Sequence, residues 1–275
     1  MGLNKLKDKT DFSPATEKKT LHRNLSFTAT EQYKLLRANL EFTLPQDEKC
    51  HVIGVTSSTR GEGKSTTAIN LSYVLAEKGS KVLLIDADLR VPSVAKKMGI
   101  ASTPGLTNLL IKKDLSADIF KTDVLDTWYI LPAGDIPPNP SELLGSSRME
   151  ELLISLKQKF DHIVVDLPPV NLVSDAVEIS KFISGMIVVI REEYTEKKEL
   201  THCMRQLSLS NVNVLGYVMN ETDSGRSHYG KYKKYSYYYQ REGSKGRSSE
   251  ADADKTDSAK ADNAKTKKNN KRKSK

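Results

Sequence analysis

The chain has 275 residues, of which 37% are apolar, and a mean hydropathy of −0.50, which suits one large domain or two small ones together with a polar, unfolded stretch. Charge locates that stretch: residues 224–275 hold 16 Lys/Arg against 6 Asp/Glu, so the rest of the chain is slightly acidic although the whole carries +8. A basic groove for nucleic acid across the folded part is therefore not expected, and no apolar run approaches the roughly 18 residues of a membrane helix.

Residues 1–27 read as a flexible polar arm, whose alternating Lys and Asp lack the apolar core of a secretory signal. A helix is expected from Thr28, with Thr28 and Glu31 forming a capping box. Ala29, Tyr33, Leu36 and Leu40 make its apolar stripe, and Pro45 stops it. The chain then alternates. Short β-rich apolar runs stand at 51–56, 81–86, 128–132, 162–166, 185–190 and 212–219. Helical patterns between them cover 65–78, 148–159, 175–184 and 196–209, and Asn139–Pro140–Ser141 starts one more. Continuous apolar strands separated by helices imply an α/β fold, a mostly parallel sheet with helices on both faces. This domain is placed at 28–222, followed by a Tyr-rich segment at 223–243 and a low-complexity basic tail at 244–275. Cys50 and Cys203 lack metal spacing and suit a reducing, cytoplasmic setting.

The strongest chemical signal is Ser58-x-x-x-x-Gly63-Lys64-Ser65, between the first strand and a helix. In such a P-loop, backbone amides and the helix N-terminus face phosphate oxygens, the lysine neutralises β/γ charge, and the hydroxyl reaches Mg²⁺. The nucleotide-binding residues are then Ser58, Thr59, Arg60, Gly61, Glu62, Gly63, Lys64, Ser65 and Thr66. Two further strands end in carboxylates, at Asp86-Ala-Asp88-Leu-Arg90 and at Asp166-Leu-Pro-Pro169. In an open parallel sheet those ends face the ligand. If the strand continues past Asp86, then Asp86 and Asp88 share one side of the sheet. The alternative for any single aspartate is a helix cap.

These segments together resemble the bacterial tyrosine kinases, P-loop protein kinases that control capsule and exopolysaccharide synthesis. Ser58–Ser65 resembles their Walker A motif, Asp86–Arg90 their Walker A′ and Val164–Pro169 their Walker B. Residues 131–145 and 105–110 are also similar to family segments, and the resemblance spans roughly 28–240. It implies a P-loop NTPase fold, ATP and Mg²⁺ as cofactors, and tyrosine as phosphoryl acceptor. Catalysis falls to Lys64, Asp86, Asp88 and Asp166, with Ser65, Asp88 and Asp166 on or near the metal and Asp86 orienting or accepting the phenol proton.

The Tyr-rich end, with Tyr229, Tyr232, Tyr235, Tyr237, Tyr238 and Tyr239 among Lys231, Lys233 and Lys234, resembles the family's autophosphorylated cluster. Aromatics interleaved with lysines also describe a single-strand stacking surface or a lipid-binding tail. Six phosphates would add about −9 to −12 charges, which offsets the tail's excess of basic residues. The family's Glu-x-x-Arg-x-x-Arg assembly motif is matched by Glu31, Lys34 and Arg37, with Lys at the middle position. The resemblance further implies a homo-oligomeric ring, a separate transmembrane activator that brings the cytoplasmic kinase to the inner face of the membrane, and polysaccharide-assembly proteins as substrates. No nucleic-acid partner is expected. The competing family, the MinD/ParA-like ATP-switched assembly proteins, carries a signature lysine where this chain has Thr59. Arg60 stands where the kinases often have proline.

Overall fold

The structure, a computed structural model, describes Leu21, residues 24–111 and residues 120–222. The Tyr-rich and basic segments beyond Thr222 lie outside the described residues.

Helix α1 (Phe27–Thr43) leads into β1 (His51–Ser57), α2 (Lys64–Glu77) and β2 (Val82–Asp86). Two short helices, α3 (Val94–Met98) and α4 (Leu106–Ile111), precede β3 (Phe120–Lys121) and β4 (Trp128–Leu131). The chain continues through α5 (Pro140–Leu144), α6 (Ser147–Lys157), β5 (His162–Asp166), α7 (Asp175–Ser180), β6 (Gly185–Arg191), α8 (Lys197–Leu209) and β7 (Val214–Asn220). Among the described residues the sheet has seven strands in the order β3-β4-β2-β5-β1-β6-β7. All neighbours run parallel except β3 against β4.

Burial of both faces explains why the inner strands read as predominantly apolar runs. Successive side chains point to opposite faces. Val52, Leu83, Ile85, Ile163 and Val165 pack under α4 to α8, whereas Ile53, Val55, Val82, Leu84 and Val164 pack under α1, α2 and α3. Tyr33, Leu36 and Leu40 of α1 lie on the second cluster, as their spacing predicts. The start of α1 differs from expectation. Ser26, not Thr28, is the N-cap, and its hydroxyl accepts from the Ala29 amide at 3.2 Å. Glu31 instead forms an exposed ion pair with Lys34 at 3.0 Å, one turn along the same helix. At the other end Leu44, the residue before Pro45, is extended at φ −75° and ψ 147°, the conformation that proline imposes on its predecessor. Helix α7 ends at Ser180 rather than Ser184, because Phe182 and Ile183 already make the tight turn bonds that lead into β6.

At the amino ends of β1 and β5, His51 and His162 stack with ring centroids 5.5 Å apart. Burial first, and the neighbouring His51 second, lower the His162 pKa, with a smaller contribution from Lys78 and against the opposing pull of the Asp161 and Glu41 carboxylates. The folded state therefore favours neutral imidazole, and its buried Nδ1 has no hydrogen-bond partner. Below the ordinary histidine pKa of about 6.5, the unfolded chain binds the extra proton and stability falls as pH falls. Denaturation of wild type and His162→Phe at pH 7 and pH 5.5 is expected to show a smaller acid-induced loss in the variant.

Candidate active site

Strands β1, β5 and β2 end side by side, and this edge assembles the sequence motifs. Asp86 and Asp166 are register partners at the carboxyl ends of β2 and β5, and Val55 of β1 flanks Asp166 on the other side. Because paired residues in adjacent strands point the same way, both carboxylates leave the same face, beside the loop that joins β1 to α2.

That loop needs its glycines. Gly61 and Gly63 have φ of +83° and +97°, a region that a Cβ disfavours. A Cβ on Gly63 would also lie 2.0 Å from Asn220 Nδ2. Gly63 is the N-cap of α2 and offers no side-chain cap, so the first amides of the helix are left for a ligand. Glu62, fully buried, ties the loop to itself. Its carboxylate accepts from Ser58 Oγ at 2.7 Å, from the Thr59 amide at 2.9 Å and from Thr195 Oγ1. Ser58 at the usual first glycine position thus has a partner inside the loop.

Lys64 is the centre of the charge arrangement. Its Nζ lies 2.8 Å from Asp88 Oδ2 and 3.4 Å from both Asp166 Oδ1 and Ser65 Oγ. Burial opposes its charge, but Asp166 and Asp88 outweigh burial and raise its pKa above the ordinary lysine value. Burial, against the pull of Lys64 and the Ser65 hydroxyl, raises the Asp166 carboxyl. Burial and then the Asp166 charge push Asp86 up to about 7.

The strand does not continue past Asp86, so the two aspartates of the second motif diverge in role. Asp86 Oδ2 accepts from the amides of Ser93 and Val94 at 3.0 and 2.9 Å, and Oδ1 accepts from the Asp88 amide at 3.3 Å. Asp86 therefore also fixes the start of α3, the capping role left open by the sequence. Asp88 turns to Lys64, and its Oδ1 accepts from the Val91 amide at 3.0 Å. Arg90 holds an aspartate that the motifs do not include: its Nε and Nη2 each donate to buried Asp175 at 3.0 Å, and Nη2 also reaches Ser141 Oγ at 3.1 Å. This bidentate pair joins the loop after β2 to the starts of α5 and α7. Asp175 was legible only as a helix start.

A divalent cation fits this donor set. Ser65, Asp88 and Asp166 are hard oxygen donors that already surround a cation, the Lys64 ammonium, and Asp166 Oδ2 is buried without a hydrogen-bond partner. Among the described residues no three or more His, Cys, Asp or Glu form a ready cage. Mg²⁺ with one or two carboxylates, waters and phosphate oxygens needs none.

Against the P-loop, an open cleft of about 670 Å³ is lined by its Thr59 and Arg60 together with Arg90, Leu172, Val173 and Tyr194. Of the three residues expected near an assembly contact, Arg37 donates from Nη1 to the Val74 carbonyl of α2. That side chain is engaged within its own chain, while Glu31 and Lys34 remain exposed as a pair. Among the described residues no helix is long and apolar enough to cross a membrane.

The family model described as an AAA domain matches residues 50–215. Tyrosine-protein kinase YwqD of Bacillus subtilis (strain 168) is 39% identical over 204 residues, covering 74% of this chain and 86% of YwqD. The chain belongs to the bacterial tyrosine kinases. The kinase domain of the Escherichia coli tyrosine kinase ETK aligns with this kinase at TM-score 0.65 and 30% identity, over 73% of this chain and 80% of that one. The septum site-determining protein MinD of Pyrococcus horikoshii OT3, solved with Mg-ADP, shares the P-loop NTPase fold at TM-score 0.53 and 28% identity, over 65% of this kinase and 72% of that chain.

Proposed function

We propose that this kinase transfers the γ-phosphoryl group of ATP to tyrosine, first to Tyr229, Tyr232, Tyr235, Tyr237, Tyr238 and Tyr239 of a second copy, and so regulates capsule or exopolysaccharide synthesis. The observation that carries the reading is the Lys64 ammonium, 2.8 Å from Asp88 and 3.4 Å from Asp166 at the base of the P-loop. It pairs a phosphate-seeking cation with hard oxygen donors at a strand edge where nucleotides bind.

The P-loop amides and Lys64 bind and neutralise the phosphates. Mg²⁺, when bound, supplies charge that stabilises the transferring phosphoryl oxygens, and Ser65, Asp88 and Asp166 would hold it. Asp86, fixed by three backbone amides, orients the acceptor phenol or takes its proton. The phenol oxygen forms the new bond to phosphorus as the β–γ bridging bond breaks, and ADP leaves. A phenol, with a pKa near 10, needs less activation than an aliphatic alcohol. MinD carries Mg-ADP on the same fold, which supports ATP and Mg²⁺ here.

Transfer between copies requires self-association, assigned to a ring in which Glu31, Lys34 and Arg37 lie near the contact. A separate transmembrane activator would hold the kinase at the inner face of the membrane, beside polysaccharide-assembly proteins as further substrates. The domain limits proposed are 28–222 for the kinase, 223–243 for the acceptor segment and 244–275 for the basic tail. The test is incubation of the full chain with Mg-ATP, with and without the cytosolic segments of an activator, followed by phosphosite mapping. Phosphotyrosine within 229–239 is the expected result. ATP hydrolysis without phosphotyrosine would instead indicate a MinD/ParA-like switch protein.

A further inference from the structure

Three consecutive carbonyls of the P-loop are each held from outside by a side chain. Tyr194 Oη donates to Arg60 O at 3.1 Å, Arg191 Nη1 donates to Gly61 O at 3.2 Å, and Asn220 Nδ2 donates to Glu62 O at 3.1 Å. None of the three donors lies in a nucleotide motif. Arg191 and Tyr194 come from the end of β6 and the turn after it, and Asn220 from the end of β7. The turn is itself fixed. The Arg191 guanidinium lies 4.9 Å over the Tyr194 ring and pairs with Glu221 at 2.5 Å, and the Arg191 amide donates to Thr195 Oγ1 at 2.9 Å. Thr195 in turn donates to the buried Glu62 carboxylate.

In a trans peptide the carbonyl and the following N–H point in opposite directions. Holding the carbonyls of residues 60, 61 and 62 outward therefore turns the amides of 61, 62 and 63 toward the phosphate side of the loop. We infer that Tyr194 and Arg191 are positioning residues for nucleotide binding, a strap that sets the orientation of the P-loop amides before the phosphates arrive. Without it those peptides would have to be ordered during binding, at a cost in affinity. The strap sits at the rim of the open cleft, and Tyr194 is half-exposed. Its hydroxyl can thus be removed with little disturbance of packing.

The inference rests on the nucleotide-binding part of the reading above and is tested without phosphotransfer. Fluorescent mant-ADP with Mg²⁺ is titrated into the full chain and its variants, with Tm recorded for each. Tyr194→Phe, which deletes one hydroxyl, is expected to raise the Kd roughly two- to tenfold, the worth of one hydrogen bond, at unchanged Tm. Arg191→Gln, which also removes the cation over the ring, is expected to raise it further. A Kd unchanged in both variants overturns the inference. So does a rise in Kd that merely tracks a fall in Tm, the mark of a structural role. Failure of the wild type to bind mant-ADP overturns the nucleotide reading as well, whereas binding without phosphotyrosine formation in a parallel ATP reaction strikes only the kinase reading.

Discussion

Lys64→Met is expected to abolish tyrosine phosphorylation, by roughly a hundred- to a thousandfold or more, the scale seen when one preorganised charge donor is removed from a transition state. The variant loses the cation that faces the phosphates. It also leaves Asp88 and Asp166 without their counter-ion in a site where Asp166 is fully buried. Breaking a buried pair by deleting one member costs about 3–5 kcal/mol. A second signature follows: urea denaturation of the ligand-free variant should show a midpoint lowered in proportion. The paired variant Lys64→Met/Asp88→Asn removes one of the stranded charges and is expected to recover part of that stability and none of the activity. Recovery of activity would contradict the role given to Lys64. Equal stability of wild type and Lys64→Met would contradict the buried ion-pair arrangement.

Gly63→Ala is expected to cost about a hundredfold in kcat/KM for ATP through lost nucleotide affinity, while the protein still folds. Two effects act together. The backbone at φ +97° disfavours any side chain, and the added methyl would collide with Asn220 Nδ2, so either the loop shifts or the Asn220 amide swings away and gives up its bond to Glu62 O. Strain of this kind is worth about 1–3 kcal/mol. The double variant Gly63→Ala/Asn220→Ala opens space for the methyl but keeps the backbone strain and loses the bond to Glu62 O. It is expected to recover a fraction of the affinity. Measuring KM and kcat for both variants and for Asn220→Ala separates the two effects: if the collision acted alone, the double variant would be no worse than Asn220→Ala.

Much of this architecture was legible because a parallel sheet covered on both faces leaves a simple record. The inner strands hold unbroken apolar runs such as Val82–Ile85 and Ile163–Val165, and the sequence places six strands, at 51–56, 81–86, 128–132, 162–166, 185–190 and 212–219. The P-loop and the two strand-end aspartate motifs were legible as well, since phosphate and metal chemistry restrict residue type at fixed spacing. What was missed was short or depended on tertiary contact. Helices α3 and α4 have five and six residues, too few to show a period, and the two-residue β3 has no pattern to read. Ser26 caps α1 in place of Thr28 because both residues suit the position and only the Ala29 amide chooses between them. Nothing in the sequence ties Arg90 to Asp175, 85 positions along the chain. The carbonyl partners Arg191, Tyr194 and Asn220 carry no motif, because a contact to backbone leaves no trace in the residue contacted. Glu62 gave one faint signal, a carboxylate inside a phosphate-binding loop that makes sense only if it is turned away and satisfied.

The proposed reaction is phosphorylation of the chain's own C-terminal tyrosines at the Lys64 site. Its most direct test is mass-spectrometric mapping of full-length protein after incubation with Mg-ATP, alone and with the cytosolic segments of an activator, for wild type and Lys64→Met in parallel. Phosphotyrosine confined to Tyr229–Tyr239 in wild type and absent from the variant is the expected result. ATP turnover with no phosphotyrosine, or equal phosphotyrosine in the variant, would contradict it.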